Sequence, residues 1–83
     1  IKMFRIYPNP AKDHLECSFE SAAEGTVLMK IMNMAGAVMQ SGKIQVQKGQ
    51  NRNGLNISGL LPGTYVLMLS GTTMQERALF VKH

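Results

Sequence analysis

The run Tyr65-Val66-Leu67-Met68-Leu69 is apolar throughout and lies between Pro62-Gly63 and Ser70-Gly71, and it restricts the fold more than any other stretch of the chain. An apolar run of this length between turn residues reads as a strand buried on one face and largely covered on the other. Side chains alternate along a strand, so Tyr65, Leu67 and Leu69 share a face and should form the centre of the core. Pro62 fixes its own φ, and Gly63 can supply the positive φ at the third position of a type II turn, so the chain is expected to reverse at Pro62-Gly63.

The remaining segments follow the same two-residue period. Residues 3–7 form a short strand stopped by Pro8-Asn9-Pro10, where two prolines exclude both helix and central-strand pairing and leave a rigid, extended lead-in. Residues 13–19 alternate Leu15, Cys17 and Phe19 with His14, Glu16 and Ser18, and residues 20–25 read as a turn. Residues 26–33 point Val27, Met29 and Ile31 inward, and Asn33-Met34-Ala35-Gly36 is a hairpin with Gly36 at positive φ, leading into a strand over 37–40. A helix over 27–40 is the competing pattern, but Gly36 in its middle and the period-two spacing of Val and Ile oppose it. Gly42 interrupts, residues 43–46 carry Ile44 and Val46, and residues 48–51 form a polar turn. Residues 53–58 carry Leu55 and Ile57; a turn over 70–73 follows the apolar run, and residues 75–81 place Leu79 and Val81 on one face and Ala78 and Phe80 on the other. About seven short strands separated by frequent turns predict an all-β fold, an immunoglobulin-like antiparallel β-sandwich in one domain over 1–83.

Composition narrows the function by exclusion. The hydrophobic fraction is 45% with 17% charged residues, and no apolar run approaches the roughly 18 residues of a membrane-spanning helix. The chain starts at Ile1 without a leader pattern, and is expected to be a piece of a longer protein. Its net charge is +4, divided as −1 up to Glu24 and +5 from Gly25 onward. These cations are scattered and lack interleaved aromatics, so a nucleic-acid partner is not expected. Cys17 is the only cysteine and alternates with Leu15 and Phe19, which makes it a small core hydrophobe rather than a nucleophile. Most of the seven methionines should fill core gaps, the alternative being an adaptable Met-rich surface. His14 and Glu16, near Asp13, could in principle hold a metal ion but are more simply a solvated face, and no cofactor is expected. No catalytic triad order, phosphate loop, paired carboxylates or Cys-x-x-Cys is present. The chain is not expected to be an enzyme.

Four blocks in order carry a resemblance: Ile6-Tyr7-Pro8-Asn9-Pro10-Ala11, Lys30-Ile31-Met32-Asn33-Met34-Ala35-Gly36-Ala37-Val38, Gly49-Gln50-Asn51, and Leu60-Leu61-Pro62-Gly63-Thr64-Tyr65-Val66-Leu67. Together they resemble the type A C-terminal sorting domain of type IX (Por) secretion cargo. The resemblance implies a delivery signal of Bacteroidetes-type bacteria. Its cargo would pass through the periplasm to the cell surface or the medium. The domain would be recognised by outer-membrane shuttle and translocon proteins, and then removed by a sortase-like cysteine protease. It also implies family motif positions at Pro8, Asn9, Pro10, Gly36, Gly63 and Tyr65, and an exposed terminal signal at Val81, Lys82 and His83. An exposed last strand could further support a weak edge-to-edge dimer. The competing reading is an accessory glycan- or protein-binding sandwich of a surface protein, which the small number of aromatics opposes.

Overall fold

The computed structural model describes residues 4–72 and 74–83. Seven strands follow in order: β1 (Arg5–Tyr7), β2 (His14–Ser21), β3 (Gly25–Asn33), β4 (Val38–Val46), β5 (Gly49–Asn56), β6 (Gly63–Ser70) and β7 (Gln75–Lys82). They form two antiparallel sheets, β1-β2-β5 and β4-β3-β6-β7, packed face to face. This three-plus-four division is that of an immunoglobulin-like sandwich, as the turn spacing predicts.

Inward positions are the alternating apolar ones. Leu15, Cys17 and Phe19 of β2 face Ile31 of β3 and Leu67, Leu69 and Phe80 of β6 and β7 across the core, all 0–1% exposed. β6 is one of the two inner strands of the larger sheet, bonded to β3 on one side and β7 on the other, as the apolar run requires. Its outward residues Val66 and Met68 are half-buried. Cys17 is enclosed between Ile6 and Asn53 on neighbouring strands, and burial pushes its thiol above the ordinary range, which keeps it protonated and unreactive.

Several local expectations are corrected. The chain does not reverse at Pro62-Gly63. Gly63 has φ 159°, nearly extended, and opens β6; the turn lies upstream, closed by Leu60 N–H donating to the Ile57 carbonyl at 3.0 Å. Gly42 does not interrupt: β4 runs continuously through it opposite Met29, because the pairing with β3 continues on both sides, and the irregularity is a bulge opposite Ile31 and Met32. β5 begins at Gly49, so most of the expected turn over 48–51 is strand. Met3 and Thr73, which the sequence places in the first strand and the last turn, lie outside the described residues. Of the methionines, Met29 and Met74 are buried, whereas Met34 is 65% and Met39 48% exposed, so core filling accounts for only part of them.

The β3–β4 hairpin forms as expected, with Gly36 at φ 90° and its N–H donating to the Asn33 carbonyl at 3.0 Å. The Asn33 carboxamide oxygen also accepts from Ala35 N–H (3.0 Å) and Ala37 N–H (2.9 Å). A Cβ on Gly36 would meet nothing within 4 Å, so its cost is purely conformational. Gly36→Ala is expected to lower stability by about 1 kcal/mol, and Gly36→Asn by less, in matched thermal melts.

Candidate functional site

Strand register brings segments distant in sequence to one end of the sandwich. Asn33, at the mouth of the β3–β4 hairpin, pairs with Tyr65, which in turn pairs with Phe80. Gly63 pairs with Lys82, and Lys82 also makes an isolated parallel bridge with Ala11. The β2 and β5 ends meet here at His14 and Asn56. Pro8, Asn9, Pro10, Gly36, Gly63, Tyr65, Val81, Lys82 and His83 therefore all occupy this end, whereas Gly49-Gln50-Asn51 lies at the other, opposite Ser21, Glu20 and Phe19 in turn.

A clasp between the first and last parts of the chain closes it. Ala11 N–H donates to the Val81 carbonyl and His83 N–H donates to the Ala11 carbonyl, both at 2.8 Å. The Asn9 carboxamide oxygen accepts from Val81 N–H at 2.9 Å. Ala11 is fully buried beneath this contact, so no larger side chain fits without displacement. The two prolines flanking Asn9 place the segment in bends, with both preceding peptide bonds cis, rather than in the extended lead-in expected from the sequence.

The terminal residues are consequently not an open strand end. Lys82 is 7% exposed, and its ammonium donates to the His83 carbonyl at 3.2 Å. Val81 and His83 are solvent-exposed in their side chains, but their backbone is occupied by residues 9–11. The sequence gives no sign of this partner, because the two segments are joined only through the packing of the sheets. Asn9→Ala is expected to cost about 0.5–1.5 kcal/mol, since water can replace the lost acceptor at this rim, and a shift in the urea midpoint at unchanged slope would register it.

Tyr65 anchors the same end. Its hydroxyl donates to the Leu61 carbonyl at 2.5 Å, and its ring stacks on Phe80 with centroids 5.7 Å apart and planes at 26°. A tyrosine at the start of this strand that bonds backbone a few residues upstream is a tyrosine corner of immunoglobulin-like sandwiches. Leu61-Pro62-Gly63-Thr64-Tyr65 carried that signal in the sequence, which the turn reading of Pro62-Gly63 missed. Exposed apolar side chains gather around this end, with Leu61 77% and Met34 65% exposed and Val38, Met39 and Val81 nearby.

The polar outer face of β2 is organised differently. His14 Nε2 lies 3.3 Å from a Glu16 carboxylate oxygen, and Arg52 Nε is 3.9 Å from the other. Among the described residues no three or more His, Cys, Asp or Glu side chains converge on a point that could hold a metal ion.

A family model described as the secretion system C-terminal sorting domain matches residues 5–82, nearly the whole chain. The chain belongs to that family. It is a type IX secretion sorting domain, a signal for export to the cell surface or the medium, and a signal domain of this kind is not a catalytic one. No curated protein matches the sorting domain in sequence. Two crystal structures of β-glucosidase from Listeria innocua, one in complex with isofagomine, resemble it with TM-scores of 0.52 and 0.53 at 12% and 11% identity. Each match covers 99% of the sorting domain but 16% of the glucosidase chain, and the likeness is one of fold alone.

Proposed function

We propose that the clasped end of the sandwich is the surface by which outer-membrane shuttle and translocon proteins recognise this domain, and that a sortase-like cysteine protease removes it once the cargo has crossed. The cargo is a protein joined ahead of Ile1 that reaches the outer membrane through the periplasm. One observation carries this reading: the family's Pro8-Asn9-Pro10, hairpin, tyrosine and terminal positions converge on a single end, where residues 9–11 are bonded to residues 81–83. The chain enters β1 at Arg5, which pairs with Ser18 and so lies toward the opposite end. A cargo attached upstream would leave the clasped end accessible. Recognition then depends on a folded surface in which residues 81–83 are presented by residues 9–11.

A reporter carrying the full chain at its C-terminus, expressed in a type IX-competent host, tests this against the same fusion ending at Leu79. Surface display with the full chain and periplasmic retention of the shortened one would support the reading. Because the shortened domain lacks the clasp and the end of β7, a second fusion carries Asn9→Ala, chosen to stay folded; its export should fall although its melt remains cooperative. Retention of the full-chain reporter while the domain is folded would refute recognition. Removal of the domain is read separately, as a loss of about 9.1 kDa from the surface reporter.

A further inference from the structure

The outer face of the four-stranded sheet is unlike a solvent face. Register aligns Val38, Met32, Val66 and Leu79 in one row across all four strands. Leu79 is 57% and Val38 51% exposed, and Met32 and Val66 lie half-buried between them. In the rows beside it stand Lys30, paired with Met68, which pairs with Arg77, and Lys43, paired with Leu28. No Asp or Glu occupies an outward register position on this face, and none of the three cations forms an ion pair among the described residues. Strands apolar on both faces belong in sheets covered on both faces, yet only the inner face of this one is covered by the chain itself.

We propose that this face docks an acidic, partly apolar protein surface of the secretion machinery, the apolar row forming the dry contact and Lys30 and Arg77 pairing with carboxylates at its margin. The inference rests on the export reading above and assigns that partner a second area of contact, extending from the clasped end along the sheet. Charge selects the occupant. A second copy packed face to face would set Lys30, Lys43 and Arg77 against the same cations. A bilayer surface is a poorer fit, because the face carries no aromatic residue to sit at the headgroup level. The upstream chain enters on β1 of the other sheet.

The test uses the full-chain reporter fusion with the pair Lys30→Glu and Arg77→Glu, against a control pair, Arg5→Glu and Lys48→Glu, that makes the same change in net charge away from the face. Thermal melts of the isolated chain establish that both variants fold. Export should fall about tenfold or more in the face variant and less than about twofold in the control, as expected for loss of paired interfacial charges. Equal export of face variant and wild type would overturn the docking surface while leaving the export reading intact; failure of the wild-type fusion would overturn the export reading itself. Flotation of the wild-type chain with phosphatidylglycerol vesicles, abolished in the face variant, would overturn the proposal in favour of a lipid surface. A wild-type dimer in sedimentation that the face variant lacks would overturn it in favour of self-association.

Discussion

Phe80→Ala is expected to destabilise the domain by about 3–5 kcal/mol, the range for emptying a buried aromatic site. Phe80 is 1% exposed and stacks on Tyr65, so the substitution removes core volume and an aromatic pair together. For a chain of 83 residues the whole stability is on the order of 4–12 kcal/mol. The loss is a large fraction of that total, and at the lower end of the range it leaves the variant partly or wholly unfolded at room temperature. Urea or thermal titration measures this, with Phe80→Leu as the comparison expected to lose less because it retains most of the volume. A loss under about 1 kcal/mol for the alanine variant would contradict this packing. The result also bears on function: Phe80 lies two residues before Lys82 on the strand that supplies half of the clasp, so its loss should release residues 81–83 along with the core.

Asn51→Asp, an isosteric change at the opposite end, is expected to cost about 2–4 kcal/mol at neutral pH. Asn51 is 5% exposed and uses both ends of its carboxamide. Its oxygen accepts from Gln47 N–H at 3.0 Å, and its nitrogen donates to the Gln47 and Gly49 carbonyls at 2.9 and 3.1 Å. A carboxylate keeps the acceptor but sets negative charge against two carbonyl oxygens in a buried site. Its folded pKa should lie above the unfolded value of about 3.9, so the penalty is full above the folded pKa, shrinks as pH falls through it and levels off below about pH 3.9. Stability measured from pH 7 to pH 3.5 against wild type would show the deficit narrowing on the acid side. A deficit independent of pH would mean that lost donors, and not charge, account for it.

Much of the fold was legible because strand periodicity is local. Leu15, Cys17 and Phe19, Val27, Met29 and Ile31, and Tyr65, Leu67 and Leu69 were placed inward by alternation alone, and all are buried. Gly36 was placed in its hairpin because positive φ is a property of a single residue. The errors arose where a non-local partner overrode a local signal. Gly42 reads as a break, but pairing with β3 on both sides holds the strand through it. Gly63 reads as a turn residue, but pairing with Lys82 draws it into β6. Asn51 reads as part of a polar turn, whereas its side chain is buried and ties the loop before it to β5. The last strand could not be oriented from its sequence, since Leu79 and Val81 are as apolar as Ala78 and Phe80; packing on Tyr65 turned Phe80 inward and left Leu79 outside.

Residue order alone specifies a small all-β domain, the positions that its apolar strand buries and, through four ordered blocks, the export family to which it belongs. Those properties depend on residue type and spacing along the chain. It is the packing of the two sheets that closes residues 9–11 over residues 81–83, braces the same end with the tyrosine corner and leaves an apolar, cationic sheet face uncovered. Each of these depends on which strands become neighbours, and that is set by burying both inner faces at once.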